Sequence, residues 1–433
     1  MARKMKDSGI EWIGEIPEGW EITRLKYLAD FEPTCDTSYL TDESKITYTP
    51  MECVKNGGFE NRSALYGNLS HTLTPFQNGD IAMAKVTPCF ENGNIAIMDN
   101  LFSGFGLGSS ELFIFRPKSI STRYFFYWLQ NKAFVARACS TMTGTGGLKR
   151  ISPSFIRNCP VHCPSTDEQT KISDYLDAKC SEIDDLLTSV RSSIEEYKKL
   201  KQAIITQAVT KGVRGEREMK DSGVEWAGLV PHHWGVAKIG SIGQTSSGAT
   251  PLRSKESSFF DDATIRWVRT LDLNDGFVYD SSEKITELAL ASSACSIMPK
   301  GTVCVAMYGG AGTIGKCGLL MSDCATNQAV CSIVCNRKIV SPIFLLMQLL
   351  ALKSYWMKYA VGTRKDPNIS QDIVARMKIL IPPLDEQKEI TDHLDAKCAE
   401  IDGLIAKKEQ LVKELESYKK SLIYEVVTGK REV

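Results

Sequence analysis

Two glycine-rich segments contain residue types that could bind a phosphate-bearing cofactor. The segment LFSGFGLGSSELF, residues 101–113, has glycines at alternate positions from Gly104 to Gly108, as some dinucleotide and methyl-donor sites have. No clear apolar strand precedes it, and no acidic residue follows at the distance that a βαβ unit requires, so a glycine-rich β turn is the favoured interpretation. In YGGAGTIGKCG, residues 308–318, Cys317 stands where the Ser or Thr of a phosphate-binding loop would bind magnesium.

Residues that could bind a metal or act as catalysts are sparse. The fourteen cysteines are scattered along the chain, which favours reduced thiols over a disulfide framework. Cys159 and Cys163 flank His162, but no second pair lies near enough in sequence to complete a zinc site. The five histidines form no convincing Ser/His/Asp set, and the adenine-methyltransferase motif Asn/Asp-Pro-Pro-aromatic is missing. We therefore predict no catalytic residue, no metal site and no cofactor in this chain.

Two loops at equivalent places in the chain combine glycine, threonine and a pair of adjacent cations. They are TGTGGLKRIS, residues 143–152, and VGTRKDPNIS, residues 361–370. Glycine lets backbone N–H groups approach a phosphate, and Arg or Lys can bind phosphate or read guanine. A solvated basic loop without a ligand is the alternative. With basic residues from other motifs, the predicted DNA-binding set is Lys85, Gly144, Lys149, Arg150, Arg253, Lys255, Arg269, Arg364 and Lys365.

The elements that would position these residues occur twice in the chain. The signature MKDSGIEWIGEIPEGW at 5–20 recurs as MKDSGVEWAGLVPHHW at 219–234, an offset of 214 residues. The segment DEQTKISDYLDAKCSEIDDLL at 167–187 recurs as DEQKEITDHLDAKCAEIDGLI at 385–405, an offset of 218. The chain therefore consists of two halves. Each half has an opening signature, a divergent body and a closing segment.

Each closing segment has the pattern of a long helix. Its apolar positions alternate spacings of 4 and 3 residues, which indicates a coiled coil, and Gly212 and Gly429 stand at the ends. We predict that the two helices pair with each other, although an amphipathic helix lying on its own domain is the alternative. Lys201 and Lys419 occupy matching seam positions, where a lysine can fix the register or extend its amine to solvent. The predicted seam comprises Leu176, Ile183, Leu187, Val190, Ile194, Ile204, Leu394, Ile401, Ile405, Val412, Leu415 and Leu422.

The composition is ordinary for a soluble globular protein, with 43% hydrophobic and 24% charged residues. Lys plus Arg equals Asp plus Glu, so the net charge is zero. Zero charge weakly disfavours a nucleic-acid binder, but permits one whose basic surface is local or is supplied by a partner. No apolar run approaches the roughly 20 residues that span a bilayer, and we identify no signal peptide. We expect a cytoplasmic protein with no membrane partner.

The two bodies have the pattern of a mixed fold. Short apolar runs of β type alternate with Gly- and Asn-rich turns, and helical patterns at 121–140 and 341–360 close each body. We predict the α/β (mixed α+β) class, with an internal pseudo-twofold repeat and two domains separated by a pair of long antiparallel coiled-coil helices. The predicted domains are 1–164 and 213–382, each with one signature and one body, and the helical segments 165–212 and 383–433.

Taken together, these motifs resemble the specificity subunit of type I restriction–modification enzymes over essentially the full chain. The resemblance rests on the duplicated D-S-G-x-E-W-x-G-x-x-P-x-x-W signature and the duplicated P-x-x-D-E-Q that opens each long helix. It also rests on motifs of the two bodies. These are KVTPCFENGN (85–94), GLGSSELFIFRP (106–117), SSGATP (246–251), IRWVRTLDL (265–273), MYGGAGTIGK (307–316) and ATNQAV (325–330).

The resemblance implies that each body is a target recognition domain, which reads half of an asymmetric, bipartite site in double-stranded DNA. It implies that the paired helices set the spacing and dock two methyltransferase subunits, which use S-adenosylmethionine to methylate adenine N6. A motor–nuclease subunit that uses ATP and Mg²⁺ would join for restriction. This chain would then be non-catalytic. A coiled-coil adaptor without DNA specificity and a free-standing enzyme using Gly104–Gly108 are the alternatives.

Overall fold

The computed structural model describes residues 3–70, 72–144, 147–309, 312–362 and 367–433. The chain forms two compact units: the first consists of residues 1–191 and 410–433, and the second of residues 192–409. Both long helices cross this division, so each unit contains part of both. Among the described residues, no helix is both long and apolar enough to cross a membrane.

Among the described residues up to 211, the structure has fourteen strands and five α-helices, besides three short 3-10 turns. The strands are β1 Met5–Asp7, β2 Glu15–Pro17, β3 Glu21–Arg24, β4 Ala29–Phe31, β5 Lys45–Thr49, β6 Val54–Lys55, β7 Gly58–Phe59, β8 Arg62–Leu65, β9 Thr74–Gln77, β10 Asp80–Ala84, β11 Ile95–Met98, β12 Phe105–Gly108, β13 Leu112–Pro117 and β14 Pro160–Cys163. The helices are α1 Leu25–Leu28, α2 Thr122–Leu129, α3 Lys132–Ser140, α4 Pro153–Asn158 and α5 Thr166–Lys211.

The elements described beyond residue 211 follow a similar succession. The strands are β15 Met219–Asp221, β16 Leu229–Pro231, β17 Gly235–Lys238, β18 Gly243–Ser247, β19 Ile265–Val268, β20 Gly276–Val278, β21 Lys284–Ile285, β22 Ile297–Met298, β23 Val303–Ala306, β24 Cys317–Leu320, β25 Cys324–Thr326, β26 Val330–Cys335, β27 Val361–Gly362, β28 Pro367–Asn368 and β29 Lys378–Ile381. The helices are α6 Ile239–Ile242, α7 Glu256–Phe260, α8 Glu287–Ala291, α9 Pro342–Ala351, α10 Trp356–Tyr359, α11 Gln371–Arg376 and α12 Leu384–Val427.

The two bodies have the same sheet topology despite their different sequences. The first body has the strand orders β11-β10-β13-β4 and β8-β5-β12-β9, and the second has β24-β23-β26-β18 and β21-β19-β25-β22. The pairs β5–β12 and β19–β25 are both parallel. The second body adds β20, which pairs with β24 at the end of its first sheet. The predicted mixed fold with an internal repeat is confirmed.

The helical pattern at the end of each body contains a break that the sequence pattern does not reveal. In the first body, the side chain of Asn131 accepts a hydrogen bond from the amide of Phe134 over 2.9 Å, so a new helix begins there. In the second body, residues Lys353–Tyr355 form a 3-10 turn between α9 and α10. These helices cover the sheets and contribute buried aromatic and aliphatic side chains to the main core of each unit.

The long helices pair antiparallel within each unit. In the first unit, Lys419 Nζ lies 2.7 Å from both carboxylate oxygens of Asp184, and Arg191 Nη2 lies 2.6 Å from Glu416 Oε1. Of the predicted seam, Leu176, Ile183, Leu187, Ile194, Leu394, Ile401 and Leu422 are buried, and Val190, Ile204, Ile405, Val412 and Leu415 are half-buried.

The second unit repeats the lysine–aspartate contact of the first. Lys201 Nζ lies 2.7 and 2.6 Å from the carboxylate oxygens of Asp402. Lys201 and Lys419 are one repeat apart in sequence, and so are the two aspartates. Both lysines therefore form ion pairs across the helix pair, rather than only extending into solvent. The two helices end before Gly212 and Gly429, whose φ angles are 73° and 70°, in the left-handed region that glycine adopts at helix ends.

Candidate nucleic-acid interface and the repeated frame

The two repeated motifs contact each other in each unit. The indole N–H of Trp20, in the opening signature, donates to Glu168 at the start of α5 over 2.9 Å. The indole N–H of Trp234 donates to Glu386 at the start of α12 over 3.0 Å. Both tryptophans are buried. The Glu of each D-E-Q segment therefore does more than complement a helix dipole, because it fixes the signature to the helix.

The glutamine of each D-E-Q segment fixes the body to the same helix. Gln169 accepts the Ser121 amide over 2.7 Å at the start of α2, and its own amide donates to the carbonyl of Pro164 over 3.0 Å. Gln387 makes the matching contacts with Ser341 at 2.8 Å and with Pro382 at 2.9 Å. We call these duplicated tryptophan, glutamate and glutamine contacts the repeated frame.

The second unit surrounds its frame glutamate with more cations than the first. Arg3 pairs with Glu168 in the first unit, and Arg217, one signature offset away, pairs with Glu386 at 3.0 Å. Arg214 and His233 also contact Glu386, at 3.1 and 2.6 Å. Burial alone would raise the pKa of the Glu386 carboxyl, but hydrogen bonds donated by Trp234, His233 and Arg217 hold that pKa below its usual value.

The opening signature also packs against the end of α12. Trp20 shares the core of the first unit with Val426 and Val427, and a side chain at Gly429 would collide with Pro17. In the second unit, a Cβ at Gly212, at the end of α5, would lie 3.3 Å from the Trp234 ring. The first signature therefore follows α12 in space as the second signature follows α5 in sequence.

Four residues of the predicted DNA-binding set lie together in the first body. Strand pairing joins Val86 to Arg150, and the amide of Ile151 donates to the carbonyl of Lys85 over 3.0 Å. Lys149 is bound through its backbone, because Thr87 donates to its carbonyl over 2.9 Å. Gly144 has a φ angle of 143°, and a Cβ there would collide with the backbone of Leu148 and Lys149.

An acidic residue that the sequence analysis did not select completes this cluster. Arg150 donates from Nε to Glu111 Oε2 over 2.9 Å and from Nη2 to Glu111 Oε1 over 2.7 Å. These hydrogen bonds from Arg150 hold the pKa of the Glu111 carboxyl below its usual value. Lys85 Nζ lies 5.4 Å from the centroid of the Phe113 ring. Lys149 is exposed and has no ion-pair partner within the described part of the chain. We call Lys85, Glu111, Lys149 and Arg150 the first basic cluster.

The predicted arginines of the second body also meet at one acidic residue. Arg253 Nη2 and Arg269 Nη1 each lie 2.6 Å from a carboxylate oxygen of Glu283. Both guanidinium groups lie against Trp267, at 5.7 and 5.9 Å from its ring centroid. Arg253 also lies 4.4 Å from the ring of Phe260. A cation can attract a phosphate, and a planar guanidinium held in one orientation can read a base.

Three predicted DNA contacts have no described side chain. Arg364 and Lys365 lie outside the described residues, and so does the side chain of Lys255. The strand pair Val361–Asn368 that flanks the second loop matches the pair Thr143–Arg150 of the first. The residues that flank the two loops therefore occupy equivalent places on the two bodies.

The segments considered for cofactor or metal binding pack against, or form hydrogen bonds with, other parts of the protein. The alternate glycines of residues 101–113 lie in and beside β12, where a side chain at Gly106 would collide with the Phe76 ring. His162 Nε2 lies 2.6 Å from the carbonyl oxygen of Val427, and the Cys159 thiol faces the carbonyl of Pro160. Within the described ranges, no three His, Cys, Asp or Glu residues form a group that could bind a metal.

The sequence matches the model of one known protein family. The sequence model described as the type I restriction modification DNA specificity domain matches residues 17–196 and again residues 231–414. The chain therefore belongs to this family and contains its domain twice.

Individual relatives agree with this assignment. The chain is 34% identical, over 196 residues, to the specificity subunit of the type I restriction enzyme EcoAI of Escherichia coli. That alignment covers 44% of this chain and 33% of the relative, so the chain matches about a third of that relative's length. It is 23% identical, over 434 residues, to the MjaVIII specificity subunit of Methanocaldococcus jannaschii, covering 96% of this chain and 93% of the relative.

A solved structure has the same fold. It was determined in work on complex assembly and conformational transition of the type I R-M system. The TM-score is 0.73 at 15% sequence identity, and the superposition covers 96% of this chain and 99% of the other.

Proposed function

We propose that this chain is the DNA-recognition subunit of a type I restriction–modification complex, and that each body reads one half of an asymmetric, bipartite site in double-stranded DNA. The observation that carries the proposal is the contrast between a frame that recurs residue for residue and bodies that share a topology with different side chains. A surface that must meet two identical partners is expected to occur twice. Surfaces that read different base sequences are expected to differ.

The partners in this proposal follow from the same contrast. Two methyltransferase subunits dock on the repeated frame and its helices, and motor–nuclease subunits join the complex for restriction. S-adenosylmethionine, ATP and Mg²⁺ belong to those partners, and this chain is non-catalytic. The helices set the distance between the half-sites, and the complex acts in the cytoplasm.

The first basic cluster and the pair Arg253 and Arg269 supply local positive charge, which a chain of zero net charge requires for DNA contact.

An exchange of one body tests the proposal. Residues 235–361 are replaced by the equivalent body of another member of the family, and the frame residues Trp234 and Glu386 are kept. Genomic DNA from cells that contain the hybrid and its methyltransferase subunit is sequenced for methylated adenine. We expect one half-site to change and the other to remain. If both halves changed, or neither did, the two bodies would not read DNA independently.

A further inference from the structure

The backbone of Arg150, an exposed cation in a loop, is fixed by hydrogen bonds. Its amide donates to the carbonyl of Thr143 over 2.8 Å, and its carbonyl accepts from the amide of Thr143 over 3.1 Å. The neighbouring residue Lys149 exchanges backbone contacts with Thr87, whose hydroxyl accepts the Lys149 amide over 2.9 Å. The Cα of Arg150 therefore has a defined position relative to Thr87 and Thr143.

The guanidinium group of Arg150 is fixed as well. Nε and Nη2 donate side-on to the two oxygens of Glu111. A guanidinium has five N–H donors in one plane, so this contact leaves both N–H groups of Nη1 and the second N–H of Nη2 on the other edge. Among the described residues, Nη1 has no hydrogen-bond partner, and 47% of the Arg150 side chain is exposed. The carboxylate sets the plane, and the other edge can face a ligand.

Glu111 is held in place by the glycine-rich segment that precedes it. Its amide donates to the hydroxyl of Ser109 over 3.2 Å, and its carbonyl accepts the amide of Lys85 over 3.0 Å. Strand β12 ends at Gly108, where a Cβ would crowd the Phe76 ring and Leu112. The close packing that these glycines permit places Glu111 opposite Arg150. The alternate glycines thus have a role that needs no cofactor.

The second body has the same backbone arrangement with different side chains. The amide of Met307 donates to the carbonyl of Ala329 over 2.8 Å, as Lys85 does to Glu111. Strand pairing joins Tyr308 to Asn368, as it joins Val86 to Arg150. Ala329 and Asn368 thus replace Glu111 and Arg150. Because the shared backbone forms without this ion pair, the pair is not required for the fold of a body.

The ion pair changes what Arg150 can recognise. A guanidinium already paired with a carboxylate attracts phosphates less than an unpaired cation does, but it keeps a planar pair of donors in a set orientation. Such a pair of donors matches the O6 and N7 acceptors of guanine in the major groove. Lys149, which is exposed and has a flexible amine, suits phosphate contact instead.

We propose that Arg150 reads a guanine in the DNA half-site of the first body, and that Glu111 is the positioning residue that orients its guanidinium. This inference rests on the proposed function, and it names one base contact within it. Lys149 contacts the DNA backbone beside that base. In the second body, Asn368 and Ala329 replace Arg150 and Glu111 and form no ion pair. This guanine contact therefore belongs to the first half-site alone.

The test measures binding of the full chain, assembled with its methyltransferase subunit, to duplexes containing its recognition site. Each guanine of the first half-site is replaced in turn by 7-deazaguanine, which lacks the N7 acceptor. In the wild-type complex, we expect one replacement to weaken binding about tenfold to a hundredfold. In Arg150→Ala, the same replacement should have little further effect, because the side chain that contacts the guanine is already absent.

Two variants separate positioning from charge. Glu111→Gln keeps the shape of the side chain but has a single acceptor oxygen, so discrimination at that guanine should fall about tenfold, while the salt dependence of binding should not decrease. Lys149→Ala should reduce the salt slope by about 0.9 and leave the discrimination unchanged. Glu60→Gln is the matched control, because Glu60 forms the same side-on pair with Arg62 in the same body, at 2.8 Å for both contacts.

The outcomes distinguish this inference from the function on which it rests. If the wild-type complex binds no defined site, both are wrong. If it binds a bipartite site but no 7-deazaguanine position loses its effect in Arg150→Ala, only the guanine contact is wrong. If Glu111→Gln raises binding equally for the correct and the altered site, Glu111 merely repels DNA and does not position Arg150. If Glu60→Gln reduces discrimination at that guanine as strongly as Glu111→Gln does, the effect is not specific to the ion pair between Glu111 and Arg150.

Discussion

The buried histidine of the first unit should make that unit less stable in mild acid. His162 is 1% exposed, and burial lowers its pKa from the usual 6.5 to about 4. Its Nε2–H donates to the carbonyl of Val427, and its ring stacks on Trp20 with centroids 5.6 Å apart. The neutral imidazole therefore joins the opening signature, strand β14 and the end of α12.

The sign and size of the effect follow from proton linkage. Between pH 6.5 and about 4, the unfolded chain binds a proton at this residue and the folded chain does not, so the free energy of unfolding falls as the pH is lowered. For these two pKa values, the loss between about pH 7.5 and pH 5 is about 2 kcal/mol. Carboxylates also titrate toward this range, so the informative quantity is the difference between the wild type and a variant.

The assay is urea unfolding of the wild type and of His162→Gln at both pH values. The glutamine amide can donate to Val427 but does not titrate, so the loss of stability on acidification should be about 2 kcal/mol smaller in this variant. His393→Gln, at an exposed position of α12, should lose as much stability as the wild type. An equal acid-induced loss in the wild type and in His162→Gln would show that the histidine is accessible to protons in the folded state, contrary to this prediction.

Three further predictions concern the frame and the helices. Lys201→Asp should lower the free energy of unfolding by about 0.5–1 kcal/mol, since the ion pair between Lys201 and Asp402 is partly in water. Adding Asp402→Lys should restore most of the lost stability. A double mutant no more stable than the single one would contradict an ion-pair role. Trp20→Phe should cost about 1.5–3 kcal/mol in thermal or urea unfolding, because it removes a hydrogen bond to the carboxylate of Glu168; an unchanged stability would exclude that contribution. Inserting four residues after Ile194 adds about 6 Å of helix and should lengthen the spacer of the methylated site by about one or two base pairs; an active variant that methylates the original spacing would show that the helices do not set it.

Because the chain contains a duplication, its overall architecture could be predicted from the sequence. The two helices were predictable because the spacing of 4 and 3 residues continues without interruption from Leu176 and from Leu394. The similarity of the bodies could be inferred from the matching helical patterns at their ends. The strand order could not be, because the pairs β5–β12 and β19–β25 join segments that are distant in sequence and too short to specify a partner.

Only the basic residues of the candidate interface could be predicted from the sequence. Adjacent lysine and arginine in a glycine-containing loop indicated Lys149 and Arg150, but nothing local indicated that Glu111, 39 residues away, would bind the arginine. The same holds for Glu283, which joins Arg253 to Arg269. The one local signal for Glu111 is its place three residues beyond Gly108, the end of the glycine-rich strand β12, and this signal does not identify Arg150 as its partner. Tertiary pairing of this kind depends on sheet topology, which the residue pattern does not encode.

The central claim is that two different bodies on one repeated frame read two different DNA half-sites. The most direct test is to incubate the complex of this chain and its methyltransferase subunit with random duplex DNA, and to sequence the duplexes that remain bound. We expect two short defined blocks of different sequence, separated by a spacer of constant length and undefined sequence. A single block, two identical blocks, or no enriched sequence would contradict it.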